Sequence, residues 1–376
     1  MVDRRRIVQQ WKRGAASVLV TLVHADGSSY RRPGAHLLIG ADGEYAGTIS
    51  GGCLEAEVVR KATWMIRNGA IVERYSTMFD DTAEIPFGLG CGGIVDLLLE
   101  PAETPECRAL LAAMEMSLGG DESLVAAWLP ATGRQLRRAV FSARSDVIFR
   151  SEQLTSTDLD VLATHPPTTF QHESGIYLER LAAPQCLFVL GAGDDAKPVV
   201  TMASLLGWRV TVADGRPQLA RADRFPEAER VVAAASVEQL ELTTADAAVV
   251  MTHSYEQDRA LLTGLLGGKQ IPGYIGLLGA SHRSSLLVSE AAATLGSSVA
   301  DCCKRVWAPV GLDIGGGGDG AEAIALAMIA EVQAWRQGKL GASRRLTAES
   351  VAQQIEKGGA SRYLQTQCAL ELDTAK

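Results

Sequence analysis

Two cysteines, a pair of arginines and two glycine turns are the residues of this chain best suited to chemistry. Cys53 stands in Ser50-Gly51-Gly52-Cys53-Leu54-Glu55, just before a segment whose apolar residues Leu54, Val58, Ala62 and Met65 recur at helical spacing. A thiol at a helix N-terminus meets the positive end of the dipole and free N–H groups, so its thiolate is favoured. A thiolate ligates a soft metal centre or relays sulfur; the plain alternative is a small buried hydrophobe behind a glycine turn. In that reading Glu55, Arg60 and Lys61 fall on the opposite, polar side of the helix. Cys91 lies among Gly88, Gly90, Gly92 and Gly93, where the backbone can approach a ligand or simply a neighbouring turn. Arg31 and Arg32 offer paired N–H donors for a phosphate. Adjacent residues of an extended chain point opposite ways, so one of them at most is expected to do so.

The second glycine turn is Gly191-Ala192-Gly193-Asp194-Asp195-Ala196. It follows the apolar run Leu187–Leu190 and precedes Val199, Met202, Ala203 and Leu206, which share a helix face. A further strand, Val210–Val212, ends at Asp214. This is the opening βαβ of a Rossmann-type domain, in which helix N–H groups face an anionic ligand and a carboxylate meets a ribose. Gly191, Gly193 and Asp214 are therefore candidate binding residues, and His253, at the end of the buried strand 247–252, falls on the same edge. Asp194 and Asp195 stand where a pyrophosphate would sit, and they weaken dinucleotide binding unless Lys197 compensates.

The elements that position these groups read as α/β. An N-terminal α+β domain over 1–184 contains a strand at 17–23, a hairpin at 36–48, and strands near 71–75 and 94–100. A harder stretch, 102–184, reads as one helix and several short strands, broken at His165-Pro166-Pro167. A Rossmann-like domain with a parallel sheet follows over 185–337, and 338–376 is a polar tail. At 376 residues the chain can hold two cores, and a formal net charge of −8 argues against a nucleic-acid partner. No run approaches the roughly 18 apolar residues of a membrane span. The basic start lacks the apolar run of a signal peptide, so a cytoplasmic location is expected. Seven scattered cysteines without C-x-x-C spacing read as thiols, with no structural metal expected. Cys302 and Cys303 read as two thiols of differing burial.

Gly27–Ala35, Ser50–Glu55, Gly88–Gly93, Leu190–Ala196, Val212–Pro217, Met251–Asp258 and Pro309–Ile314 resemble, in order, the motifs of the xanthine dehydrogenase accessory factor family, XdhC/CoxI type. The resemblance spans about 14–334. It implies an N-terminal XdhC/CoxI-type domain and a protein that binds molybdenum cofactor, as molybdopterin or its dinucleotide form. Such a protein supports sulfuration of the cofactor and hands it to a molybdenum hydroxylase apoenzyme such as xanthine dehydrogenase, turning over little or no substrate itself. Cys53 would then relay sulfur or ligate molybdenum, and Arg31, Arg32, Gly51, Gly52, Cys91, Gly191, Gly193, Asp214 and His253 would line the cofactor site. A cysteine desulfurase is a further implied partner, and a homodimer is expected because a site split between two domains is often completed across subunits. The competing readings are an NAD(P)-dependent oxidoreductase, which the βαβ unit alone suggests, and a nucleotide-sensing regulatory module. The two acids in the turn and the lack of a Tyr-x-x-x-Lys set count against NAD(P).

Overall fold

The computed structural model describes residues 1–341 without 15, 28, 53, 77–92, 132–134, 161–169, 172–174 and 316–319. Cys53, Cys91, the His165-Pro166-Pro167 break, Gly316–Gly318 and the tail from 342 lie outside the described residues.

The N-terminal half is two antiparallel sheets with helices between and outside them. Helix α1 (Val2–Lys12) precedes β1 (Ala16–Asp26), β2 (His36–Gly40), β3 (Tyr45–Gly47), α2 (Glu55–Met65), β4 (Ile71–Ser76) and β5 (Ile94–Pro101). These strands form one sheet in the order β3-β2-β1-β5-β4. A second sheet, β8-β7-β6-β10-β9, is built from β6 (Ser123–Trp128), β7 (Arg137–Ser142), β8 (Val147–Arg150), β9 (Phe170–Gln171) and β10 (Ile176–Leu181). Helices α3 (Pro105–Gly119) and α4 (Ser156–Asp160) complete this half.

Alternation along β1 explains the layering, since successive side chains of a strand face opposite sides. Leu19 packs with α1, α3 and residues of the second sheet. Val18, Val20 and Leu22 instead pack with Leu54, Val58 and Ala62 around α2. The sheets are also pinned by a buried ion pair. Arg138 on β7 donates from both Nη atoms to Glu100 on β5, at 2.8 and 2.9 Å, and from Nη1 to the Glu106 carbonyl of α3 at 2.7 Å.

The C-terminal half is a parallel six-stranded sheet in the order β13-β12-β11-β14-β15-β16. Its strands are β11 (Cys186–Leu190), β12 (Arg209–Asp214), β13 (Arg230–Ala233), β14 (Ala247–Val250), β15 (Tyr274–Leu277) and β16 (Val306–Trp307). Strand periodicity again divides the core: Leu187 and Val189 face one side, Phe188 and Leu190 the other. Helices α5 (Ala196–Leu205) and α9 (Ala321–Arg336) cover the first face. The second is covered by α6 (Tyr255–Gly267), α7 (Ser281–Leu295) and α8 (Val299–Cys303). This is the Rossmann arrangement, whose strand order reverses between β11 and β14. The expected helix face needs one correction. Val199 and Ala203 are buried together with Ala196 and Val200, but Leu206 is the C-cap of α5 and is exposed. The chain is already leaving the helix there, toward Gly207.

The halves meet at the N-terminal edge of the parallel sheet. Gly207 sits so close to α1 that a Cβ there would lie 2.7 Å from the Met1 Cβ. Arg209 donates to the Gly119 carbonyl at 3.2 Å, and Arg336 to the Ala183 carbonyl at 2.9 Å.

Replacing Glu100 with leucine leaves the Arg138 guanidinium buried and unpaired, and we expect a loss of about 3–5 kcal/mol of stability. Urea denaturation measures it, and a loss below about 1 kcal/mol would show that the pair does not pin the sheets.

Candidate functional site

One edge of the first sheet collects the N-terminal candidates. Antiparallel pairing of β1 with both β2 and β5, of β2 with β3 and of β4 with β5 makes β1, β3 and β4 run in the same direction. The segments after β1 (with Arg31 and Arg32), after β3 (with Gly51 and Gly52) and after β4 therefore leave the same edge. Ser76 and Asp26 both pair with Ile94 there, so the chain leaves for and returns from residues 77–92 at that edge. Cys53 and Cys91 themselves lie outside the described residues; their neighbours along the chain are what can be placed.

Glu55 organises the Ser50–Gly52 turn. Its Oε1 accepts from Thr48 Oγ1 at 2.6 Å and from the N–H groups of Ile49 and Ser50 at 3.0 and 2.9 Å. Its Oε2 accepts from the Gly52 N–H at 3.0 Å and from the Ser50 hydroxyl, which in turn accepts from the Leu54 N–H at 3.0 Å. Burial alone would raise this carboxyl pKa, but the hydrogen bonds from Ser50, Thr48 and the backbone outweigh it and hold it at about 2. The residue is 1% exposed, so its placement on the polar side of α2 is corrected. Helical spacing put Glu55 among charged residues, whereas its position at the first turn lets it reach back to the preceding loop. The N–H groups of residues 49, 50 and 52 are thereby already used.

Gly52 has φ +110, a conformation that favours glycine, and a Cβ there would meet nothing within 4 Å. A Cβ on Gly51 would lie 3.2 Å from Tyr30 Cδ1, so this exposed tyrosine covers the turn and ties it to the arginine loop. The two arginines differ in their surroundings. Arg31 is engaged with Asp3 of α1. Arg32 is exposed, and no carboxylate among the described residues pairs with it. Beneath the loop, a Gly34 Cβ would lie 3.5 Å from both Glu179 Oε1 and Tyr177 Oη on β10. His36 Nε2 lies 3.2 Å from the buried Glu179. Asp96, also buried, takes Arg74 Nε at 2.7 Å and Nη2 at 3.0 Å, two residues from the Ile94 edge.

The second cluster is the Rossmann turn at the other end of the parallel-sheet domain. Gly191 has φ +129, and a Cβ there would lie 2.4 Å from the Met251 carbonyl oxygen, so the ends of β11 and β14 approach as only glycine allows. Asp214 is saturated. Its Oδ2 accepts from the Ala192 N–H and Arg216 Nη2, each at 2.8 Å. Its Oδ1 accepts from the Arg216 N–H at 2.8 Å and Nε at 2.9 Å. Although burial opposes the charge, these donors hold the carboxyl below the usual range. While Arg216 keeps this geometry, no acceptor position on Asp214 is left for a ribose hydroxyl.

The acids of the turn are compensated. Asp194 pairs with Lys197 at 2.8 Å and with Arg224 at 2.9 Å, which lowers its pKa. Asp195 Oδ2 lies 2.8 Å from His253 Nε2, so a side-chain pair spans the crevice between β11 and β14. His253 has φ +64, uncommon outside glycine and often a mark of functional sites. Three carboxylates here (Asp194, Asp195, Asp214) face three permanent cations (Lys197, Arg216, Arg224), which leaves the turn near neutral. Sequence reasoning singled out Lys197 but missed Arg216 and Arg224, whose side chains return to the turn from beyond β12. Cys302 is buried and Cys303 exposed, as expected.

The two clusters are not joined within one chain by any hydrogen bond or ion pair among the described residues. Arg31 reaches Asp3 at the start of α1, and α1 packs at Gly207. The glycine turn lies at the opposite end of α5, about 15 Å away at helical rise. Among the described residues there is no helix long and apolar enough to cross a membrane and no cluster of three or more His, Cys, Asp or Glu residues that could hold a metal.

Comparison with known proteins agrees with this architecture. Residues 187–332 match the XdhC Rossmann domain, and residues 10–76 match the XdhC and CoxI family. The chain belongs to the XdhC and CoxI family. It is 28% identical over 323 residues to a probable xanthine dehydrogenase subunit of Bacillus subtilis (strain 168), covering 84% of this chain and 92% of that protein. It is 36% identical over 114 residues to the molybdenum cofactor insertion chaperone PaoD of Escherichia coli (strain K12), a match covering 29% of this chain and 33% of that protein. Its fold resembles the crystal structure of a xanthine dehydrogenase from Bacillus halodurans, with TM-score 0.76 and 24% identity over 93% of this chain and 99% of the other.

The Glu55 geometry predicts a pH dependence. A carboxyl whose pKa falls from 4.5 to about 2 on folding contributes stability that is fully present above 4.5. That contribution, roughly 3 kcal/mol, is lost as pH falls from 4.5 through 2. Protection factors of the Ile49, Ser50 and Gly52 amides, measured against intrinsic exchange at each pH, should fall over that window, and Glu55→Gln should lower them already at pH 7. Unchanged protection in the variant would contradict the assignment.

Proposed function

We propose that this protein is an accessory factor for molybdenum enzymes, which binds molybdenum cofactor, supports its sulfuration and delivers it to a molybdenum hydroxylase apoenzyme such as xanthine dehydrogenase. The observation that carries the reading is the single edge of the first sheet. It joins a glycine turn fixed by Glu55 to an exposed arginine that has no carboxylate partner among the described residues. The relatives' names point the same way, since one is a molybdenum cofactor insertion chaperone.

In this reading the cofactor is cargo. Arg32 grips its phosphate through guanidinium N–H donors, while Arg31 holds the loop to α1. Gly51 and Gly52 let the cofactor approach the backbone closely, and Tyr30 covers one side of the turn. Cys53, next in the chain, is the proposed molybdenum ligand or sulfur carrier, with Cys91 as a second proposed contact. Bound cofactor supplies the molybdenum and its exchangeable sulfur; the protein orients it and keeps it from water until transfer. A cysteine desulfurase is the proposed sulfur donor. Gly191, Gly193 and His253 take the remote end of a dinucleotide form, and Asp214 holds the turn that presents them. Because the two clusters lie far apart in one chain, a shared site is proposed to form between two chains of a homodimer.

The neutral turn does not by itself reject NAD(P), so that reading is tested directly. Purified protein is incubated with molybdopterin cofactor and, in parallel, with NAD(H), and bound material is measured after gel filtration. We expect pterin to be retained and nicotinamide lost; retained nicotinamide without pterin would overturn the proposal. Cys53→Ser should lower cofactor loading at least tenfold, and unchanged loading and transfer would remove Cys53 from the site.

A further inference from the structure

We infer that the crevice at the C-terminal ends of β11 to β14 binds a nucleotide and selects it without reading its ribose, so that ribonucleotides and 2′-deoxyribonucleotides bind alike. The inference rests on the cofactor-binding reading above, because a dinucleotide arm is the ligand that would bring a nucleotide to this domain.

Three observations carry it. First, the crevice holds a cavity of about 60 Å³, with apolar walls from Leu190, Ala213, Ala234, Leu240 and Leu261 and with Asp214, Ser236, Thr252 and Gln257 also at its lining. It lies at the C-terminal ends of the strands, where doubly wound sheets bind ligands. Such a wall accepts the edge of a flat heterocycle. Second, polar groups converge beside the glycine turn. Asp195 Oδ1 is buried there without a hydrogen-bond partner, 2.4 Å from where a Gly193 Cβ would stand, while Oδ2 meets the largely exposed His253. Because Lys197, Arg216 and Arg224 offset the three acids, a phosphate arriving at the turn does not meet a net negative charge.

Third, Asp214 stands where a Rossmann carboxylate would meet the ribose, yet its four acceptor positions are filled by Ala192 and Arg216. A ribose 2′-hydroxyl finds no charged acceptor at this position, so its presence or absence changes little. Base and phosphate remain to be recognised, and the sugar is a spacer.

The test uses the full chain and isothermal titration with CMP and dCMP, and with AMP and dAMP. For each base that binds, the ribo and deoxy forms should have Kd values within about threefold. Arg216→Ala frees one acceptor position on each oxygen of Asp214, and it should create a preference for the ribo form of about tenfold or more, the effect of a hydrogen bond to a charged group. Ala235→Leu, which narrows the cavity, should weaken both forms at least tenfold. A preference of tenfold or more for the ribo form in the unmodified protein would overturn the inference. So would a failure to bind any of the four nucleotides while molybdopterin cofactor is still retained, and that result would leave the proposed function standing. Loss of both nucleotide and cofactor binding would defeat the two together.

Discussion

A buried carboxylate with its acceptor positions taken up by nearby donors is the interaction on which both candidate sites depend. Glu55 gathers five donors from residues 48–52, and Asp214 gathers four from Ala192 and Arg216. A glycine-rich turn has the conformational freedom to approach a ligand, but for that reason it is expensive to order. A charge fixed beneath it supplies the ordering, since hydrogen bonds to an ionised acceptor are among the stronger ones a protein can make. The same arrangement occurs on two unrelated architectures within this chain, an antiparallel sheet and a parallel one.

Topology determines what those turns can share. Antiparallel pairing points β1, β3 and β4 at one edge, so three strand ends far apart in sequence lie there without further design. The parallel sheet places its glycine turn at the C-terminal edge, while the contacts with α1, Gly119 and Ala183 lie at the N-terminal edge. Among the described residues no hydrogen bond or ion pair links the Rossmann turn to the Ser50–Gly52 turn of the first sheet. We propose that a second chain brings the two turns together, which is why the proposed homodimer bears on function.

Much of the fold was legible because hydrophobic period and turn chemistry agree. Strand Ala247–Val250 is an uninterrupted apolar run and is buried on both faces. The 36–48 hairpin is marked by Ala41-Asp42-Gly43, and it forms as β2 and β3. Side-chain destinations were harder to read. Period alone put Glu55 in solvent and Leu206 in the core, and both assignments fail at a helix end, where the chain no longer follows the helical repeat. The acids of the Rossmann turn read as repulsive because Arg216 and Arg224, two of the cations that offset them, stand more than twenty residues further along the chain. The pairing of Asp195 with His253 had no local signal at all, since it depends on β11 and β14 being neighbours. The short strand β16 and the closure of 102–184 into a sheet of its own were likewise set by long-range pairing.

The central claim is that this chain carries molybdenum cofactor to another enzyme, and cofactor transfer tests it most directly. Purified protein loaded with sulfurated cofactor is mixed with a cofactor-free molybdenum hydroxylase, and hydroxylase activity is followed against an equal amount of free cofactor. The account predicts faster and more complete activation by the loaded protein. Activation no better than that achieved with free cofactor would contradict it.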